Sequence, residues 1–576
     1  MAPGDPPPTE GPTTPGGLPV RQPLGQATAA SKSGPPAGPP GQSANATGAD
    51  PLLPANLGFE GNQYAPGSAS YDRANNLYAT STYGQERKMN PGTILQPTST
   101  EDIQQAVRYA NVVGKPLAIR SGGHQYSGAC STGSDGIQLD LKPTFRRPKL
   151  DLQLLRENGK VYIRSSVSWT LAEIFDFLQD NGVFMPTGQC IEVCVGGHIQ
   201  TGGFGMLARS FGLLGDYVRE LEIVDHNAEV VKVTKDSNPD LFYGILGGSP
   251  GNFGVITHFK AEVQEDRKHQ GSKGLWQAFH YRPDTLKALL DILVKKGEDP
   301  NFPRGYDFTI NTLSREVNLA ELFPGSQSEL KRKLPDWIHD GKKIIADLLK
   351  FKFALIVVYA QWVNLGEEPY SPDLFDQIKK VPHDFQFHKE TGVDETPMSQ
   401  IASWWLFRSV REFPYPYDKR TNSTASTELS KTKWSDWFTE RANKIISDTG
   451  NGLYISSQLQ VYGGTNSKFR TNAGNGTSYT FRDATFGGTC DVFYDGNEKG
   501  AHDWQAQNDK ERFTHFSKEE RGVLWGSYGD WNMKDEKVWR RYYDAETYKK
   551  LQKIRKKADP KGIFTPNPFC VEAAKD

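Results

Sequence analysis

Between residues 188 and 205 the chain reads Gly188-Gln189-Cys190-Ile191-Glu192-Val193-Cys194-Val195-Gly196-Gly197-His198-Ile199-Gln200-Thr201-Gly202-Gly203-Phe204-Gly205. Glycine at this density loses too much backbone entropy to form a stable long helix or an ordinary strand. The segment is therefore expected to bring bare backbone close to something flat or charged. A bound cofactor explains that better than a surface loop. A shorter cluster, Arg120-Ser121-Gly122-Gly123-His124, follows an expected strand at Leu117-Ala118-Ile119. Its glycines permit positive φ, so that successive N–H groups can converge on an anion. A tight turn with a capping histidine is the plainer alternative.

Two other readings of the residues stand beside the cofactor cradle. Cys190, Cys194 and His198 are spaced by fours and, with His124, could hold zinc, but the C-x-x-C knuckle is absent and zinc has no need of so many glycines. Gly203-x-Gly205-x-x-Ala208 imitates a dinucleotide fingerprint, with Asp225 some way on. The residues before it do not read as a strand.

At 576 residues at least two cores are expected. The 67 Lys and Arg against 68 Asp and Glu give a net charge of -1, which supplies no electrostatic reason for a nucleic-acid or anionic-membrane partner. A small-molecule ligand is expected instead. Phe353 to Ala360, the longest wholly apolar run, is far short of the roughly 20 residues that cross a bilayer. No secretory leader is visible, so an intracellular, cytoplasmic location is expected. Five cysteines, an odd number, argue for individual roles over a disulfide framework. Pro and Gly make up 21 of the first 50 residues, which reads as a disordered tail over 1–50. The Asn-x-Thr triplets at Asn45, Asn422 and Asn475 are read as chance matches.

Ordered elements begin near residue 90. Ile94 to Pro97 reads as a strand, and Thr98 to Glu101 as a capping box for a helix carrying Ile103, Ala106, Val107, Ala110 and Val113, which Gly114 stops. With Leu117-Ala118-Ile119 this makes a parallel crossover unit. Leu221 to Val224 and Glu229 to Val233 read as a hairpin. Further on, helices over 284–296 and 327–349 alternate with strands over 353–362, 453–462 and 479–493.

Both glycine clusters, with Leu241 to Thr257, resemble the berberine bridge enzyme-like branch of the vanillyl-alcohol oxidase (PCMH-type) flavoproteins. The resemblance covers roughly 90 to 260 and returns over 521 to 571, where Tyr542-Tyr543 through Asp559-Pro560-Lys561-Gly562-Ile563-Phe564 is similar to the family's closing helix and turn. It implies an α+β fold: an FAD-binding domain over 51–265 that returns at 515–576, with an inserted α+β substrate-binding domain over 266–514. It also implies FAD bound covalently through His124 and Cys190. Arg120, Ser121, Gly122, Gly123, Gly196, Gly197, His198, Gly202, Gly203, Gly254 and Val255 are expected around the cofactor, and Val193 at a position that gates oxygen, where valine accompanies oxidases.

Leu524-Trp525-Gly526-Ser527-Tyr528-Gly529-Asp530 resembles the family's base-carrying strand, making Tyr528 the candidate catalytic base, with Arg482 as a candidate cation to support its ionised form. Trp404, Trp405, Tyr462 and Tyr479 are candidates to line the cavity. The implied activity is an oxidase acting on an alcohol, hemiacetal or amine-bearing carbon of a secondary metabolite, with oxygen as acceptor and hydrogen peroxide as product. Oligosaccharide oxidation is one alternative, and a non-redox cyclisation with flavin as a structural prop is another. Phe481-Arg482, Ser527 and Asn567-Pro568-Phe569-Cys570 depart from the family pattern, so the cofactor transfers by resemblance more safely than the substrate.

Overall fold

The computed structural model describes residues 57–76, 89–125, 130–314, 354–384, 386–391, 396–404, 416–448, 450–523 and 532–575. Its first sheet is built by the crossover the sequence predicts. β1 (Asn62–Tyr64), β2 (Thr93–Gln96), α1 (Thr100–Val113), β3 (Leu117–Arg120) and β4 (Ile137–Asp140) follow in chain order. The sheet order is β1-β2-β4-β3, with β4 parallel to both β2 and β3. Ile103, Ala106, Val107 and Ala110 of α1 are fully buried, as their helical spacing requires. The cap sits one residue later than the Thr98–Glu101 box predicts. Ser99 Oγ accepts from Asp102 N–H (3.2 Å), because the Asp102 carboxylate is drawn back to Thr98 N–H (2.7 Å) and hydroxyl (2.8 Å). Gly114 ends α1 at φ 67°.

A second, antiparallel sheet contains β5 (Leu152–Glu157), β6 (Lys160–Ser166), β8 (Val218–Val224), β9 (Val230–Val233) and β10 (Val255–Glu262), in the order β5-β6-β10-β8-β9. α2 (Leu171–Asp180), the short pair of β7 (Val183–Phe184) with β11 (Gln264–Glu265), and α3 (Val195–Gln200) lie around it in sequence. β8 and β9 form the predicted hairpin. Asp225 is spent inside its turn, where one carboxylate oxygen accepts from Asn227 and Glu229 N–H, each at 2.9 Å.

The largest sheet joins β12 (Lys273–His280), β13 (Tyr306–Leu313), β14 (Leu355–Trp362), β15 (Gln386–Glu390), β16 (Tyr417–Thr424), β17 (Leu453–Val461) and β18 (Phe486–Tyr494), antiparallel in the order β15-β12-β14-β13-β17-β18-β16. α4 (Pro283–Glu298), α5 (Trp434–Ile446) and α6 (Glu498–His515) cover one face, where Leu286, Leu290, Phe308, Ile310 and Trp434 share an apolar core. Along the other face the register aligns Asn311, Gln458, Thr489 and Thr421 across four strands. The fully buried Lys419–Asp491 ion pair (2.7 Å) stands beside them. The predicted strand over 479–493 starts only at Phe486, since Phe481 has φ 55° and breaks the extended run. The predicted helix over 327–349 lies outside the described residues.

α7 (Ala545–Ala558) leads into a turn that closes on the first sheet. Leu117 N–H donates to Ile563 O (2.8 Å), and Thr565 N–H donates to Leu117 O (3.0 Å). Asp559 fixes that turn by accepting from the N–H groups of Ile563 and Phe564, each at 2.9 Å. Among the described residues no helix is long and apolar enough to cross a membrane.

Candidate active site

The two glycine clusters, far apart in sequence, meet at one cleft. It encloses about 1220 Å³ including its open mouth, and its wall carries Ser121, Gly122, Gly123 and His124 from the loop after β3 together with Cys190, Val193, Gly196, Gly197 and His198. Gly254 closes the far side with Gly251. Gly122 is the point of closest approach: a Cβ there would lie 2.7 Å from the Cys194 backbone nitrogen and 3.2 Å from its sulfur. The segment carrying Cys190 is held open by backbone bonds to its neighbours. Leu171 N–H donates to Val193 O (2.8 Å), Ala172 N–H to Ile191 O (3.1 Å) and Val195 N–H to Trp169 O (3.1 Å).

Four of the expected cofactor residues stand off this wall. Arg120 supports the loop from behind, its guanidinium paired with Asp140 (2.7 Å) and donating to Ala74 O. Gly202 and Gly203 form the bend after α3, where Gly215 N–H donates to Gly202 O (3.1 Å). Val255 is buried as the first residue of β10. Conversely, Gln189 and Gln458 line the cleft and escaped the sequence reading. Gln458 brings the polar face of the seven-stranded sheet to the cleft, a position that only strand register reveals.

Both cleft histidines are held neutral. Burial, helped by Lys142, lowers His124 to about 3, and burial lowers His198 to about 4. His198 Nε2 accepts from Gly188 N–H (2.9 Å), so this ring braces the glycine segment and that nitrogen is occupied. The Cys194 thiol, 2% exposed and pushed up to about 12 by burial, stays protonated and donates to Ser168 O (3.6 Å). Among the described residues no group of three or more His, Cys, Asp or Glu could hold a metal ion.

These shifts fix the sign of a pH effect. The unfolded chain binds protons on His124 and His198 near the ordinary 6.5, the folded chain only near 3 and 4. Their contribution is therefore complete above about 6.5 and is lost as the pH falls from there towards the folded values. Each adds a slope on the order of 1.4 kcal/mol per pH unit within that window. Denaturant unfolding of the flavin-free protein at pH 7 and pH 5 should show the loss. His198→Gln should reduce the slope, and an unchanged slope would refute the assignment.

A smaller chamber of about 460 Å³ adjoins the cleft through Thr201 and Phe204, which line both. Its walls are aromatic: Phe204, Tyr462, Phe469, Tyr479, Tyr542 and Tyr543. Tyr462 and Phe469 stack at 4.5 Å, and the Tyr479 hydroxyl donates to Ile199 O. Tyr462 and Tyr479, two of the expected cavity residues, thus stand here, whereas Trp404 is buried in the core beside Lys389. Tyr528 and Trp405 lie outside the described residues. Arg482 does not serve as the expected free cation. Its guanidinium is 5% exposed, bonds both oxygens of Asp216 (2.6 and 3.1 Å) and donates to Phe469 O, so its charge is already neutralised.

Comparison with known proteins gives this cleft a cofactor. A FAD binding domain match covers residues 91–234. Berberine bridge enzyme-like 12 of Arabidopsis thaliana is 35% identical over 176 residues, 30% of this chain and 32% of that one, so the alignment spans about a third of that relative. Glucooligosaccharide oxidase of Sarocladium strictum is 24% identical over 493 residues, 82% of this chain and 86% of that one. The solved structure of Physcomitrella patens BBE-like 1 superposes with a TM-score of 0.66 at 18% identity, covering 89% of this chain and 98% of that one. Fold and cleft together define an α+β flavoprotein with a PCMH-type FAD site. Within that class the matched regions of the chain are similar to berberine bridge enzyme-like proteins and FAD-linked oxidoreductases.

The residues present suit FAD. Gln189 is 4% exposed, and neither its side-chain nitrogen nor its oxygen has a hydrogen-bond partner among the described residues. A ring edge offering both donors and acceptors, as the pyrimidine end of flavin does, would satisfy it. A Cβ on Gly197 would meet nothing within 4 Å, so that glycine leaves open space on the cleft wall. The two glycines should respond differently to alanine. Gly122→Ala is expected to cost about 1–3 kcal/mol of stability through the clash with Cys194. Gly197→Ala should leave the flavin-free protein at least as stable but lower its flavin content. Thermal unfolding and the ratio of flavin to protein absorbance would separate the two effects.

Proposed function

We propose that this protein is an oxidase that oxidises an alcohol, hemiacetal or amine-bearing carbon of an aromatic secondary metabolite, with FAD tethered through both His124 and Cys190. Residues 51–265 and 515–576 are assigned to the FAD-binding half and 266–514 to the substrate half. The reading rests on one observation, the convergence of His124 and Cys190 on the wall of a single cleft. FAD, when bound, supplies a hydride acceptor that oxygen regenerates with release of hydrogen peroxide.

The chain's own contribution is holding and proton transfer. The neutral imidazole of His124 is the form of histidine able to make a new bond at nitrogen, and Cys190 brings a sulfur nucleophile to the same cleft. Val193, on the wall with its N–H donating to Cys190 O (3.2 Å), is assigned to oxygen access. Tyr528 is assigned as the base that takes the substrate proton. A free tyrosine has a pKa near 10, so keeping it ionised at pH 7 costs about 4 kcal/mol. With Arg482 committed to Asp216, that stabilisation must come from another positive group or from the bound cofactor's surroundings.

The adjoining chamber of Phe204, Tyr462, Phe469, Tyr479, Tyr542 and Tyr543 favours an aromatic substrate, since flat apolar walls reward ring stacking. The alignment with glucooligosaccharide oxidase over 82% of the chain favours an oligosaccharide as the second reading. Substrate-dependent peroxide release, run with a sugar panel beside phenolic and indolic compounds, decides between them. Tyr528→Phe should slow turnover by roughly 10²–10⁴-fold on the substrate that responds. Full turnover without flavin bleaching would instead point to non-redox chemistry.

A further inference from the structure

α7 turns Tyr548, Leu551, Ile554 and Arg555 inward, which leaves its other side to solvent. That side is lysine. Lys549, Lys553 and Lys557 follow one another at i, i+4 and i+8, so they stand on one stripe, and all three are exposed. Exposed Lys550 lies beside them, over the Tyr243 ring (3.8 Å), and Lys561 is exposed in the turn that follows. Asp559, just past the end of the helix, is spent on Arg555 (3.0 Å) and on the turn's own N–H groups. Among the described residues none of Lys549, Lys553, Lys557 and Lys561 has an ion-pair partner.

The turn carries this charge to a second exposed feature. Leu117 pairs in parallel with Phe564, so the residues two places before each, Lys115 and Gly562, arrive at the same end of β3. Lys115 is exposed there. Just before it, at the end of α1, Val112 is 85% exposed and Val113 41%. The edge is thus both cationic and apolar. Solubility alone is served by mixed signs, and like charges at i, i+4 destabilise a helix. The helix dipole rewards Lys557 in the last turn and gives Lys549, near the other end, no such return. An anionic surface offsets the repulsion between the lysines, and its interface accepts the valines. A nucleic acid fits less well, because the stripe offers neither an arginine fork nor an aromatic ring for a base to stack on. The net charge of -1 hides the patch. It is summed over the whole chain, whereas a surface responds to charge within about 10 Å at roughly 0.1 M salt.

We propose that this edge, made of the lysine face of α7, Lys561, Lys115 and the two valines that end α1, docks the protein on an anionic lipid bilayer. The lysines would meet the headgroups, and Val112 and Val113 would enter the boundary between headgroups and acyl chains.

The test sediments the flavin-loaded protein with vesicles of phosphatidylcholine alone or of phosphatidylcholine and phosphatidylserine in equal parts. Flavin colour is expected in the pellet with the mixed vesicles only. Raising the salt from about 0.1 M to about 1 M should release it, as the screening length shrinks to about 3 Å. Lys549→Gln, Lys553→Gln and Lys557→Gln combined should weaken partitioning at least about tenfold. Flavin content and melting temperature should stay those of the unaltered protein, since glutamine forms helix as well as lysine and none of the three lines the cleft. Val112→Ser, with every charge kept, should weaken partitioning about threefold or more. The proposal is overturned by absence of binding to the mixed vesicles, by equal binding to neutral ones, or by unchanged partitioning in the triple variant. Tighter capture by polyuridylate than by the mixed vesicles, together with indifference to Val112→Ser, would also overturn it and make the edge a nucleic-acid surface.

Discussion

Replacing both His124 and Cys190 with alanine is expected to release all of the yellow colour into the supernatant when the protein is precipitated with acid, whereas the unaltered protein should carry its colour into the pellet. Each single replacement should leave one bond and keep the colour with the polypeptide, but with a changed spectrum. The expectation follows from placement: the two side chains lie on one cleft wall, His124 just beyond the meeting point at Gly122 and Cys190 on the segment braced by Val193 and Val195. Colour in the supernatant from the unaltered protein would remove both bonds from the proposal while leaving the FAD-binding fold intact. Colour lost with one single replacement alone would leave one tether in place of two.

The second large effect concerns stability. Asp216 is 2% exposed at its side chain and pairs with Arg482 through both oxygens (2.6 and 3.1 Å). It also accepts from Leu213 N–H (2.9 Å), Asn472 (3.0 Å) and Asn475 (2.9 Å). Asp216→Ala would leave the buried guanidinium of Arg482 without its countercharge, which ordinarily costs about 3–5 kcal/mol. Arg482→Met in the same background should recover part of that loss, because the isolated charge goes with it. Denaturant unfolding of the two variants checks both statements. A loss below about 1 kcal/mol in Asp216→Ala would mean that water reaches the pair. The Asn475 side-chain amide is committed to Asp216 in this arrangement, which leaves the Asn-Gly-Thr triplet there poorly placed as a sugar acceptor.

The cofactor half was legible because glycine answers a specific problem. Where two backbones must pass as closely as at Gly122 and Cys194, only a residue without a Cβ fits, and the clusters announce that need in the sequence. Local patterns served equally well: α1, its left-handed Gly114 and the β8–β9 hairpin fall where spacing and turn residues place them. The cap of α1 slipped by one because Thr98 and Ser99 are both competent, and only the direction taken by Asp102 decides between them.

What could not be read depends on partners distant in the chain. Arg482 looked available until the fold brought it to Asp216, and a guanidinium's partner leaves no local mark. Gln458 sits in a run of Ser, Gln and Leu that alternates in the manner of any strand, and the register of β17 between β13 and β18 determines which face meets the cleft. Gln189 was hidden beside the more conspicuous Cys190. Its lack of a partner among the described residues becomes visible only once its burial is known.

The pairing of Leu117 with Ile563 and Thr565 has a consequence for how the molecule is made. A strand that emerges early from the ribosome waits for its outer neighbour until residues 563–565 have been translated. During that interval the loop bearing His124 hangs from an unfinished edge. Cofactor loading is therefore expected to follow synthesis of residues 563–565, and a ribosome stalled after residue 314 should display a nascent chain with little hold on flavin.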